Sequence, residues 1–267
     1  MLASLHNHTR WSDGKPTVAE MAAAAPAHGL HEVGISDHLV LHPSGADVGW
    51  TMPLDRLDEY VREVRAARVE GVAVRAGVEA DYFPETIGDL RGILAEQDLD
   101  YVIGSVHYVD GFPIDSSPDD WAPLSPEEVN DVWRLYWRRV REMAASGVFD
   151  FAAHLDLPKK FGFRPSADLS AEAMAALDAI AGADMALEIN TAGWSLKAGE
   201  AYPSPWLLHE SLRRGIPLLI NADAHRPAHL TRDFARARTL AREAGYAHLV
   251  RYERRRRIPF PLPEEHP

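Results

Sequence analysis

Tyr101-Val102-Ile103-Gly104-Ser105-Val106-His107 is an apolar run of strand length that opens after Asp100 and stops on a histidine. A strand with one wet face alternates apolar and polar residues, so a nearly continuous run points to a strand covered on both faces. Reading outward, the pattern repeats. Residues 2–5 lead into His6-Asn7-His8, 33–36 into Asp37-His38, 72–78 into Glu79, 148–153 into His154, 185–189 into Asn190, and 217–220 into Asn221-Ala222-Asp223-Ala224-His225.

The segments between these runs have helical spacing. Thr17 and Glu20 form a capping box for a helix to residue 27, closed by His28 and Gly29, and Ser125-Pro126-Glu127-Glu128 starts another that runs to residue 146. Further helices are expected over 54–70, 86–95, 170–181, 204–214 and 232–244, with a last strand at 248–252. Strand and helix alternate, which predicts an α/β fold with a mainly parallel sheet. An open doubly wound sheet satisfies the alternation as well as a barrel does. Polar residues at strand after strand favour the barrel, whose carboxyl-side rim gathers them around one mouth. No Ser/Gly tract interrupts the series, so residues 1–267 are expected to form a single domain.

The 267 residues carry 40 Asp plus Glu against 28 Lys plus Arg, a formal charge of -12, which argues against a nucleic-acid partner. Cysteine is absent, so disulfides, thiol nucleophiles and thiolate-held metals are excluded. No apolar run is long enough for a membrane span and the first residues do not resemble a signal peptide, so the expected location is cytoplasmic. Neither a G-x-G-x-x-G nor a G-x-x-x-x-G-K loop is present, which disfavours NAD and ATP as cofactors.

Metal-capable side chains therefore end six of the runs. Residues two apart on an extended segment point the same way, so His6 with His8, and Asp223 with His225, can each approach an ion; spacing alone leaves open whether a pair shares one. Histidines buried together without metal or acids would repel one another when protonated, which makes a multimetal centre of imidazole and carboxylate donors the better reading. Asp13, before Gly14, is by itself an ordinary turn aspartate; near His6 and His8 it becomes a further oxygen donor. The chemistry that such a centre supports is metal-assisted phosphoester hydrolysis.

His6-Asn7-His8-Thr9 with Ser12-Asp13-Gly14, Ser36-Asp37-His38, Gly77-Val78-Glu79, Tyr101 to His107, His154-Leu155-Asp156-Leu157-Pro158-Lys159-Lys160-Phe161-Gly162 and Asp223-Ala224-His225, in this order over almost the whole chain, resemble the polymerase-and-histidinol-phosphatase superfamily, in its monofunctional histidinol-phosphatase branch. The resemblance implies a distorted seven-stranded β/α barrel with the active site at the carboxyl-side rim, and three divalent or transition-metal ions there, with zinc, manganese and iron all open. One ion would meet His6, His8, Glu79 and Asp223; Glu79 would bridge to a second at His107 and His154; Asp13, His38 and His225 would hold the third. It also implies L-histidinol phosphate as substrate, with Asp223, Glu79 and His225 as catalytic residues and Asp223 assisting proton movement. A related phosphoesterase acting on nucleotides or nucleic-acid ends, and a noncatalytic metal-binding module, are the competing readings.

Lys159, Lys160 and Arg226 are candidates to meet phosphate, Trp11, Tyr108, Phe161 and Trp194 to wall an imidazole-bearing substrate, and Asn190 to shape its pocket. Lys197 stands near where relatives carry arginine, a weaker phosphate fork. Asp37 and Asp156, close to proposed imidazole ligands, are expected to orient them. Arg254-Arg255-Arg256-Arg257 reads as a solvated tail or a subunit contact in a possible homo-oligomer.

Overall fold

The computed structural model describes residues 1–263; the expected domain runs to residue 267, and 264–267 lie outside the described residues. Seven strand–helix units follow one another: β1 (Ala3–Ser4), α1 (Val18–Ala24), β2 (Glu32–Ile35), α2 (Leu57–Ala66), β3 (Ala73–Asp81), α3 (Ile87–Ala95), β4 (Tyr101–Ser105), α4 (Pro126–Ala145), β5 (Phe151–Ala152), α5 (Ser170–Gly182), β6 (Ala186–Asn190), α6 (Pro205–Arg213), β7 (Leu218–Asn221) and α7 (Phe234–Ala244). The strands are parallel neighbours in that order, from β1 to β7. The ends of the sheet meet: Leu5 N donates to Asn221 Oδ1 at 2.7 Å, and His8 N donates to Ala224 O at 2.9 Å. The result is a distorted seven-stranded barrel.

Local chemistry sets the helix starts. Thr17 with Glu20, and Ser125 with Glu128, form the two reciprocal capping boxes read from the sequence. The helix expected over 54–70 stops at Ala66, because Ala67 is extended and a turn through Gly71, at φ 74°, feeds the chain into β3. A short strand, His38–Leu39, also pairs with β3 and sets His38 opposite Glu79. It has no apolar run of its own to announce it.

Strand alternation splits the core in two. Val33, Ile35, Ala76, Val78 and Val102 face the helices, while Leu5, Tyr101, Ile103, Phe151, Ala186 and Leu219 form a separate buried cluster. Tyr101 fills this second cluster, and Gly34 and Gly77 are required beside it, since a Cβ on either would collide with its ring. Along β3 the same parity carries Arg75, Gly77, Glu79 and Asp81.

The arginine run is not a solvated tail, which corrects the sequence reading. β8 (His248–Glu253) and β9 (Arg256–Pro261) form an antiparallel hairpin with Arg254 and Arg255 at its turn, both at positive φ. Val250 and Tyr252 of β8 join the inner cluster. Around them Arg251 pairs with Glu32 (2.7 Å), Arg255 with Asp150 (2.5 Å) and Arg257 with Asp184 (2.7 Å). Each of these acids precedes or opens a barrel strand, so the hairpin closes the amino-side end. Left-handed arginines cost about 1 kcal/mol each. Asp100 offsets that cost by accepting the Arg254 N–H at its Oδ1 (2.9 Å) and the Arg255 N–H at its backbone oxygen (2.8 Å). Its Oδ2 also accepts from Ala76 N at 3.0 Å and Arg65 at 2.8 Å.

Asp100→Ala removes the carboxylate that accepts from Arg254 N, Ala76 N and Arg65 while leaving the backbone bond to Arg255, and is expected to lower unfolding stability by about 2 kcal/mol. Denaturant titration measures it; a change below about 0.5 kcal/mol, the size of an ordinary surface substitution, would exclude the clamp role.

Candidate metal centre

At the opposite, carboxyl-side end the strands and the turns after them deliver nine donor side chains to one place: His6, His8 and Asp13 after β1, His38 after β2, Glu79 in β3, His107 after β4, His154 after β5, and Asp223 and His225 after β7. They fall into four overlapping groups, each able to hold a cation: His8, Asp13, His38 and His225; His6, His8 and Asp223; His6, Glu79 and His154; His38, Glu79 and His107. Glu79 is fully buried at the centre. Its Oε2 lies 3.0 Å from His6, 3.4 Å from His8 and 2.9 Å from His38, and its Oε1 lies 2.9 Å from His154 and 3.7 Å from His107. Ser105 Oγ donates to the same carboxylate. Asp13 and Asp223 serve the outer side, each near His8 and His225.

Electrostatics ties these groups together. Burial alone would raise the Glu79 pKa, but His38, His6 and His154 hold it well below the ordinary carboxylate value. Asp223 is likewise lowered against the effect of burial by His6, His8 and His225. Burial opposes protonation of His6, yet Glu188, Glu79 and Asp223 raise its pKa well above normal. Against the same burial effect, Asp81, Asp115 and Glu79 raise His107 to about 10, and Asp13 and Asp223 raise His225 to about 9. His8 is the exception: burial and the neighbouring His38 and His225 push it down to about 3.

The donor set fits cations. Both His8 nitrogens and His38 Nδ1 are buried without a hydrogen-bond partner, although carboxylate oxygens stand 3.1 and 2.9 Å away. Close approach without hydrogen-bond alignment is what lone pairs converging on a shared ion produce. With imidazole and carboxylate but no sulfur, the chemistry suits zinc, manganese or iron.

The residues that orient the imidazoles differ from those expected. Glu188 accepts from His6 Nδ1 at 3.1 Å, from His154 N at 3.0 Å, and from Asn190 and Asn221. Asp81 pairs with His107 Nδ1 at 2.6 Å. Asp37 instead receives Thr9 and Ser12, pinning the turn that carries Asp13, and Asp156 receives Lys159 and Ser204. Glu188 and Asp81 were legible by strand parity, two residues before Asn190 and two after Glu79; Asp37 and Asp156 are adjacent in sequence to ligands but turned to other partners.

The expected substrate residues separate in the same way. Asn190 is at the centre, bonded to Glu188 and 3.2 Å from Asp223 Oδ2. Lys160 and Tyr108 line a cavity of about 260 Å³ shared with Asp13, His38, Trp50, His107, Asp115 and others. Trp50 and Asp115 come from loops without periodic pattern and were missed. Lys159 is fully buried, held by Asp156 at 2.9 Å and Glu200 at 3.3 Å, and so is not available to phosphate. Trp11 packs against Glu63 of α2 and Arg56 just before it, Trp194 stacks under Arg236 of α7, and Phe161 lies under Lys160; none of the three lines the cavity. Arg226 is exposed beside His225, and Lys197 is exposed with its stem along Gly162.

The chain belongs to the PHP domain family, which matches residues 4–192. It is 39% identical over 232 residues to a protein of Deinococcus radiodurans named a probable histidinol-phosphatase, covering 86% of this chain and 88% of that one. It is 26% identical to the histidinol-phosphatase of Bacillus subtilis, covering 82% and 92%. Its fold matches the crystal structure of histidinol phosphate phosphatase from Lactococcus lactis, solved with zinc, L-histidinol and phosphate, with a TM-score of 0.80 and 21% identity, covering 96% of this chain and 98% of that one.

A cation that takes these imidazoles must displace their protons. His6, His38, His107 and His225 have raised pKa values and give up protons, whereas His8 is already neutral. Zinc addition to the metal-free protein is therefore expected to release protons near pH 7, and zinc affinity to fall as pH is lowered. Titration in weak buffer with a pH indicator reads the release; none would contradict the assignment. Glu79→Gln is expected to lower metal content by at least one ion per chain, read by elemental analysis.

Proposed function

We propose that the protein is a metal-dependent phosphatase that hydrolyses L-histidinol phosphate to L-histidinol and inorganic phosphate. The observation that carries the chemistry is the convergence of nine nitrogen and oxygen donors, with buried Glu79 among five of the imidazoles at the centre. The substrate follows from the 39% identical relative named for that activity.

His6, His8, Glu79 and Asp223 would hold one ion, Glu79 with His107 and His154 a second, and Asp13, His38 and His225 a third. Such ions supply a water of lowered pKa and positive charge against the phosphoryl oxygens. The need for that charge is evident at the mouth, where Asp13 and Asp115 would repel a phosphate dianion. The hydrolytic step forms one bond from water oxygen to phosphorus and breaks the bond from phosphorus to the substrate's ester oxygen. Asp223, ionised and partly exposed beside Asn190, would take the proton of the water and return it to the leaving alkoxide. Asn190 bonds Asp223 Oδ2 while His6 and His8 face Oδ1, which fixes the carboxylate's orientation. Lys160 lines the same cavity as a cation for the phosphate.

Chelation followed by controlled return of zinc, manganese or iron tests this reading. Phosphate release from histidinol phosphate is expected to disappear and return, and to exceed release from a nucleoside monophosphate or the end of a short single strand. Metal-independent turnover, or equal turnover of the nucleotide, would overturn it.

A further inference from the structure

The cavity above the donors contains an ion pair that the metal centre does not use. Lys160 Nζ donates to Asp115 Oδ2 at 3.2 Å and to the Asp115 backbone oxygen at 2.8 Å. Both side chains are only partly exposed, about a quarter each, and both line the cavity that reaches Asp13, His38 and His107. Asp115 is close enough to His107 that each shifts the other's proton affinity. Trp50 and Tyr108, with ring planes 8° apart, form an aromatic wall to the same space.

A small molecule that carries an ammonium and a phosphate on neighbouring carbons has the complementary charges. We propose that Asp115 is the specificity residue for the substrate's amino group, exchanging its bond to Lys160 for one to the substrate ammonium while Lys160 turns its charge to the phosphate. The assignment rests on the phosphatase reading above and narrows its substrates to phosphate esters of amino alcohols. Two features support an exchange rather than a fixed structural pair. Lys160 keeps an anchor on the Asp115 backbone oxygen when the carboxylate is taken, and Phe161 lies under its ammonium at 5.4 Å. Lys159, one residue earlier, shows the contrasting case: it is wholly buried and its partners Asp156 and Glu200 are not on the cavity wall.

The test compares kcat/KM for L-histidinol phosphate and for 3-(imidazol-4-yl)propyl phosphate, which lacks only the amine. A charged hydrogen bond is worth about 10- to 100-fold, so the wild type is expected to prefer the amine by that factor. In Asp115→Asn the ratio is expected to collapse toward unity, and in Asp115→Glu, which keeps the charge, to recover in part. Calorimetry should show the same loss for binding of L-histidinol, with metal content equal across the variants. A wild-type ratio retained in Asp115→Asn, or a wild type indifferent to the amine, overturns the assignment alone. A wild type that releases no phosphate from either ester overturns the proposed function and this assignment with it.

Discussion

The site depends on one buried carboxylate. Glu79 is shielded from solvent and within 3.7 Å of five imidazoles, from His6, His8, His38, His107 and His154. An isolated carboxylate there would cost several kcal/mol in desolvation, and isolated histidines would be forced neutral. Together they are mutually sustaining, because protons or metal cations on the imidazoles keep Glu79 ionised. The same arrangement makes the centre intolerant of partial change: removing Glu79 strands positive charge, and removing the imidazoles strands Glu79. Oxygen donors alone would lack the nitrogens that favour transition metals, and nitrogens alone would lack the charge compensation.

The barrel serves this carboxylate from below. Parity along β3 runs from Arg75, paired with Glu32 and Glu253 at the hairpin end, through Gly77 against the Tyr101 ring, to Glu79 and Asp81 in the centre. One strand thus links the amino-side closure, the packed interior and the donors. The interior has no room to let Glu79 sink away from the rim, because Tyr101, Ile103, Phe151 and Leu219 are fully or almost fully buried beneath it. Dense packing makes such a scaffold stiff, and stiffness is what a cluster of repelling donors needs to stay assembled.

How much of this was legible follows from how each residue is held. His6, His38, Glu79, His107, His154 and Asp223 lie in or directly after strands, and strand periodicity with the apolar-to-polar break was enough to find them. Glu188 obeys the same rule, but it lies inside the strand, two residues before the polar end at Asn190, where no apolar-to-polar break marks it. Asp37 and Asp156 illustrate the limit: adjacency in sequence says nothing of where a side chain turns once the backbone leaves the strand, and Asp156 sits at φ 60°. Trp50 and Asp115 come from irregular loops, where position is set by contacts with other segments of the chain, His107 and Tyr108 for the one and Lys160 for the other. The arginine run misled for a different reason. A two-residue hairpin turn with both residues left-handed normally announces itself with Asn-Gly; here the preference is overridden by Asp100, far away in sequence.

That override has a wider consequence for how acidic and basic residues are divided in this chain. The net charge of -12 would suggest that arginines serve solubility or surface pairing. Instead Arg75, Arg251, Arg255 and Arg257 meet Glu32, Asp150 and Asp184 at the amino-side end of the barrel, whereas the carboxyl-side end keeps Asp13, Glu79, Asp115 and Asp223 with Lys160 as the cation paired at the cavity wall. Acids are therefore compensated by fixed arginines where the barrel must be closed, and mainly by imidazoles, which can exchange their protons for cations, at the carboxyl-side end. Carboxylates around a cavity attract cations, and a seated cation changes the sign of charge that an approaching phosphate meets.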